Sequence, residues 1–114
     1  MKKSKNLNQR LQGCPVEAFL RLIGQRWNSY ILVVLLQNGR TRFGQLKKLI
    51  PQITSKVLTE KLRELEASGL IDRNHQPTIP PTVSYQLTDL GCSLSPLLNM
   101  VSEIAINWRN EGII

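Results

Sequence analysis

At Gly69 the apolar spacing of this chain changes period, and that change restricts the folds open to it more than any other feature. Before Gly69, apolar residues recur every three or four positions, as on the covered face of a helix; after it, Val83, Tyr85 and Leu87 alternate with Ser84 and Gln86, as in a half-covered strand. A run of helices, a strand pair and a final apolar helix is therefore the expected order. A chain of 114 residues holds one domain of ordinary size, roughly 100 to 200 residues. Its 41% hydrophobic content supplies a core, and its 20% charged content is too low and too mixed for a disordered tail.

Local punctuation predicts the elements. Residues 1–13 are polar and basic without periodicity and read as a flexible arm, leaving residues 14–114 as the folded domain. Pro15 suits the first position of a helix, Glu17 suits its positive end, and Val16, Phe19, Leu20, Leu22 and Ile23 form an apolar stripe ending near Gly24. A second, almost wholly apolar helix runs from about Trp27 or Asn28 to a stop at Gly39 and is expected to be central. Arg40-Thr41-Arg42 is short enough to be extended. A brief helix with Phe43, Leu46, Leu49 and Ile50 inward ends at Pro51, and Thr54 caps a longer one that runs to Ser68. Two helices joined by so tight a turn make a helix-turn-helix, here about residues 42–68. Residues of about 70–87 read as a hairpin with a proline-marked tip (Pro77, Pro80, Pro81), and about 88–110 as a last helix that Pro96 kinks or restarts. The fold class is thus mainly α with a small β-hairpin, in the order of a winged helix-turn-helix.

Charge is placed unevenly. Residues 1–56 hold eleven basic side chains against Glu17 alone, whereas the remainder holds Lys61, Arg63, Arg73 and Arg109 against seven acids. The stretch from Arg40 to Lys56 has five cations and no anion, a local positive field that nucleic acid, an anionic membrane or an acidic protein could answer. Lys2, Lys3 and Lys5 are assigned to solubility. Other functions are disfavoured. Cys14 and Cys92 have no metal-binding spacing, and no metal or cofactor is expected. A single His, no Gly-rich phosphate loop and no carboxylates set in apolar sequence argue against an enzyme. The basic start lacks an apolar segment behind it, and the longest apolar run, Tyr30 to Leu36, is far short of the roughly 20 residues of a membrane span. A cytoplasmic protein without membrane association is expected.

The helix after Thr54 concentrates the functional signal. At about 100° per residue, with Leu58 at 0°, Leu62 and Leu65 fall within about 40° of it, whereas Lys56, Thr59, Glu60 and Arg63 lie between about 100° and 200°. Lys and Arg can meet guanine edges or phosphates, Thr a base or a thymine methyl, and Glu a cytosine amine. Ser55, Lys56, Thr59, Glu60 and Arg63 are the candidate reading residues. Arg40, Arg42, Lys47 and Lys48 precede them, where the first helix of such a motif crosses the phosphate backbone, and Arg73 and His75 lie on the hairpin. A solvated surface helix would show a similar wheel; the neighbouring cations favour DNA.

Several short runs in order carry a family likeness: Cys14-Pro15-Val16-Glu17, Ile23-Gly24-Gln25-Arg26-Trp27, Arg42-Phe43-Gly44-Gln45-Leu46, the segment Val57 to Glu66, Gly69-Leu70-Ile71, Pro80-Pro81 and Tyr85 to Gly91. From Cys14 to about Trp108 the chain resembles the HxlR-type winged helix-turn-helix transcriptional regulators of bacteria. The resemblance implies a homodimer paired through its N- and C-terminal helices, bound to a pseudo-palindromic operator in double-stranded DNA and acting as a repressor. It departs from the family pattern where a basic residue follows the paired prolines and an acid precedes the tyrosine: Thr82 and Ser84 stand there.

A final helix with Leu94, Leu97, Leu98, Val101, Ile104, Ala105 and Trp108 independently carries more apolar surface than one small domain readily covers. Phe19, Leu94, Leu98, Val101, Ile104, Ala105 and Trp108 are the candidate interface; the alternative is that the helix closes only its own core. Trp27 and Tyr30 read as core or interface. Cys14, at a helix start beside basic sequence, has an environment that favours its thiolate. The resemblance implies that a cysteine at this place can sense oxidants or electrophiles; the other reading is a small packing residue. The sequence names no effector. A winged-helix module that binds protein or RNA without operator specificity is the competing function, and the face of Lys56, Thr59 and Arg63 discriminates between the two.

Overall fold

The structure, a computed structural model, describes residues 15–114; Cys14 and the arm of residues 1–13 lie outside the described residues. Helices α1 (Pro15–Ile23) and α2 (Arg26–Asn38) lead into strand β1 (Thr41–Arg42), then α3 (Phe43–Leu49) and α4 (Ser55–Ala67). Strands β2 (Ile71–Gln76) and β3 (Thr82–Leu87) follow, and α5 (Asp89–Cys92) and α6 (Ser95–Asn110) complete the chain. Pro96 restarts the last helix, standing in the first turn of α6, where its missing N–H has no helical partner to lose. No helix among the described residues is long and apolar enough to cross a membrane.

Helix α2 is central, as its apolar character predicts. Its Ile31, Leu32, Val34 and Leu35 are buried against Leu46 of α3, Leu58, Leu62 and Leu65 of α4, and Ile71 and Tyr85 of the sheet. The helix-turn-helix is pinned at its turn by Ile50 and Ile53, both buried, while Gln52 between them takes a left-handed φ of 69°. For a residue with a Cβ that backbone costs roughly 1 to 2 kcal/mol, which the two flanking isoleucines offset by burial. The Thr54 hydroxyl accepts the Val57 N–H at 3.1 Å, a cap that stabilises the start of α4 by about 1 kcal/mol. At the other end Gly69, with φ 83°, lets the Leu70 N–H donate back to the Leu65 carbonyl at 3.1 Å.

The expected hairpin is part of a larger unit. Strand β1 joins it in a three-stranded antiparallel sheet of order β1-β3-β2. Thr41 lies opposite Tyr85 and Arg42 opposite Ser84, while β2 and β3 pair from Ile71↔Leu87 to Gln76↔Thr82. Alternation then sorts the side chains. Thr41, Ile71, Tyr85 and their row, which includes Arg73 and His75, face the helices; Arg42, Asn74, Gln76, Thr82 and Ser84 share the other face.

One residue grouped with the interface, Leu98, is covered within the protomer itself. Leu98 is 2% exposed within the core, and Leu94, one turn earlier, is half-buried against it. The start of α6 closes the protomer's own interior at Leu98, whereas Val101, Ile104 and Trp108 further along stay exposed, a division that the sequence alone does not show.

Candidate nucleic-acid interface

Helix α4 turns Leu58, Leu62 and Leu65 inward, which leaves Ser55, Lys56, Glu60 and Arg63 exposed along its outer side. Thr59 is half-buried there, and its hydroxyl donates to the Ser55 carbonyl at 2.8 Å. Its proton is therefore committed; what it offers a partner is a lone pair and a methyl group. Lys47 and Lys48 are exposed on the last turn of α3. Among the described residues the ion pairs are Arg21–Glu17 and Lys61–Glu64, so Arg40, Arg42, Lys47, Lys48, Lys56, Arg63 and Arg73 have no carboxylate partner there. Unneutralised cations around a polar helix face give a surface matched to phosphates.

The sheet divides the remaining cations between two places. Arg73, on the inner row of β2, shares a recess of about 320 Å³ with Thr59, Arg63, Glu66 and Tyr85, so it extends the α4 face. His75, one step further along that row, is exposed opposite Val83. On the other face Arg40 and Arg42 line a polar niche of about 200 Å³ with Gln45, Gln76, Thr82 and Ser84. Arg40 donates to the Ser84 hydroxyl at 3.2 Å. Thr82 and Ser84, the two departures from the family's wing, thus stand beside two guanidinium groups that β1 brings across. Gln45, Gln76, Thr82 and Ser84 did not stand out as site residues in the sequence, because the two-residue β1 carries no local signal of its partner.

This arrangement predicts a charge effect without a sequence effect. Changing Arg40 and Arg42 together to Ala is expected to weaken binding to any duplex about equally, and to reduce the slope of log affinity against log salt by about 2. Fluorescence anisotropy titrations at several salt concentrations measure it; an unaltered slope would remove both residues from the phosphates.

Beyond Leu98, α6 leaves apolar side chains uncovered: Val101, Ile104 and Trp108 are 50%, 43% and 47% exposed, while Ala105 is half-buried. Phe19 of α1 is 41% exposed beside the exposed Val16 and Leu20. A cleft of about 800 Å³ runs between α2 and α6, lined by Tyr30, Val34, Leu97 and Val101 among others. Trp27 stacks near Tyr30 at 6.5 Å and carries the Arg26 guanidinium over its ring at 4.2 Å. Cys92 is exposed at the end of α5.

Known proteins share both the sequence and this shape. A family model described as HxlR-like helix-turn-helix matches residues 22–112. The HTH-type transcriptional regulator YybR of Bacillus subtilis (strain 168) is 35% identical, over 100% of this chain and 96% of its own. The reduced form of the transcriptional regulator YodB from B. subtilis superposes with a TM-score of 0.71 at 36% identity, covering 81% of this chain and 90% of that one. The redox regulator HypR in its reduced form gives a TM-score of 0.78 at 36% identity, covering 83% and 93%.

Proposed function

The chain belongs to the HxlR-like helix-turn-helix family, whose relatives are transcriptional regulators and not enzymes; from that membership we propose that it is a homodimeric repressor that reads a pseudo-palindromic operator with α4. The observation that carries this reading is the outer face of α4, where Lys56, Glu60 and Arg63 are exposed and the two cations are unpaired among the described residues. Ser55, Lys56, Thr59, Glu60 and Arg63 meet base edges in the major groove, while Arg40, Arg42, Lys47 and Lys48 hold phosphates and set register. Arg73 and His75 continue the contact along the hairpin. Phe19 of α1 and Val101, Ile104, Ala105 and Trp108 of α6 pair with a second copy, and the dimer represses by occupying its site. Exposed apolar area on both helices supports the pairing, since large uncovered apolar patches mark interfaces.

Selection of bound duplexes from fragmented genomic DNA with the purified protein tests the proposal. Inverted half-sites are expected with centres about 10 base pairs apart, one DNA turn, as the reading helices of a two-fold dimer require. Enrichment of no common sequence would favour the RNA- or protein-binding module instead.

The reading includes a redox or electrophile response through Cys14, supported by the naming of HypR as a redox regulator and by the capture of YodB in a reduced form. Cys14 lies outside the described residues, and the basic sequence around it favours a thiolate. Complete alkylation of Cys14 in a variant with Cys92→Ser is expected to change operator affinity; identical binding curves before and after would leave Cys14 a packing residue.

A further inference from the structure

We propose that Gln25 and Asn28 are positioning residues for the DNA-reading helix, holding it through Glu64 to the C-terminal end of α1. The inference rests on the reading of α4 just given. Gln25 Nε2 donates to Glu64 Oε1 at 3.1 Å and to the Arg21 carbonyl at 3.0 Å. Its Oε1 accepts from Lys61 Nζ at 2.7 Å, and Lys61 lies 3.5 Å from Glu64 Oε2, which closes a ring of three side chains. Asn28, wholly buried on α2, donates to the Leu22 carbonyl at 3.0 Å and, at 3.4 Å, to the same Glu64 oxygen. The carbonyls of Arg21 and Leu22 are in the last turn of α1, where a helix leaves acceptors without helical donors. The two side chains that satisfy them are the two that grip Glu64.

An apolar stripe cannot by itself set the rotation of α4. Burial of Leu58, Leu62 and Leu65 is non-directional, so small turns or slides of the helix keep most of its area covered. Hydrogen bonds are directional and lose strength quickly with angle. Glu64 and Lys61 are on one flank of α4, so bonds there fix the angle at which Lys56, Thr59 and Arg63 emerge. Asn28 shows that this has a cost: its Oδ1 is buried without a protein partner, in the first turn of the central helix. Such a polar group in a core is retained for specificity more readily than for stability. One consequence is mechanical. Helix α1 also bears the exposed Val16, Phe19 and Leu20, so whatever seats α1 also seats α4.

The test uses the intact protein, the duplex most enriched by selection and a scrambled duplex of equal length. Gln25→Ala leaves every charge in place, and its specific-to-scrambled affinity ratio is expected to fall about tenfold with an unchanged salt slope. Glu64→Ala is expected to lower the ratio equally, and the double variant no further. Glu64→Gln loses the same charge as Glu64→Ala but keeps a carbonyl acceptor, and is expected to hold the ratio within about twofold of wild type. A ratio unaffected by Gln25→Ala and Glu64→Ala, or lost equally in Glu64→Gln, overturns the proposal. Amide hydrogen exchange of the free proteins decides the matter independently of any operator. Exchange in Ser55–Ala67 should quicken about tenfold in Gln25→Ala and Glu64→Ala, but not in Glu64→Gln or in the β2–β3 amides. Unaltered protection of α4 would overturn the joint. Failure to select any duplex, with α4 deprotected as expected, would instead overturn only the operator reading.

Discussion

Changing Lys56 and Arg63 together to Ala should weaken binding to the selected operator by about a thousandfold, taking roughly 2 kcal/mol for each base contact removed. The two residues are seven apart on α4, so they stand nearly in line along its outer face, separated by about 10 Å of helix rise. That distance spans about three base pairs at roughly 3.4 Å each, a stretch one recognition helix can read. Both are exposed, and neither has a carboxylate partner among the described residues, so their removal leaves the interior and the helix cap untouched. The same variant should lose only about tenfold on a scrambled duplex, where each side chain contributes its charge alone. Parallel anisotropy titrations at one salt concentration give both numbers. Equal losses on the two duplexes would assign Lys56 and Arg63 to phosphates and leave the bases to other side chains.

The second large effect is on stability. Gly91→Ala is expected to destabilise the fold by about 3 kcal/mol, at the upper end for overpacking, and to lower the melting midpoint by about 15 °C. A Cβ at Gly91 would stand 2.2 Å from the Leu70 carbonyl oxygen and 3.2 Å from the Leu87 side chain. The oxygen cannot step aside easily, because it already accepts the Thr88 N–H at 3.0 Å. Thr88 is also committed: its hydroxyl donates to the Gly69 carbonyl at 2.6 Å and accepts the Gly91 N–H at 3.1 Å. One added methyl therefore pushes at a knot that joins the end of α4, the entry to β2 and the start of α5. Gly44→Ala is the matched control. A Cβ there meets nothing within 4 Å, and the helical α3 should gain up to about 1 kcal/mol. Differential scanning calorimetry of the two variants checks the pair; a Gly91→Ala midpoint equal to wild type would mean that α5 does not sit against Leu70 as described.

Local chemistry made much of this fold legible. Thr54, Pro51, Gly39 and Gly69 bound their helices where caps and breakers should, since each acts on the few backbone groups next to it. The wheel of α4 was readable for the same reason, and its inner leucines and outer Lys56, Glu60 and Arg63 lie where 3.6-residue periodicity puts them. The faces of α6 were harder. Leu94, Leu98, Val101, Ile104 and Trp108 are chemically alike, and only the packing of the start of α6 on the core buries Leu98 and half-buries Leu94 while the other three stay exposed.

Sequence by itself determined the order of elements, the helix-turn-helix, the family and the concentration of positive charge before α4. Tertiary structure decided what those cations and amides can reach. The pairing of Thr41 with Tyr85 moved Arg40 and Arg42 to the far face of the sheet, and the packing of α2 on α4 brought Gln25 and Asn28 to Glu64 across more than thirty residues of chain. The division has a physical cause. Caps, breakers and periodic stripes are written in residues a few places apart, whereas strand register and side-chain bonds between helices exist only after the chain has closed on itself, and no short stretch of sequence encodes both partners.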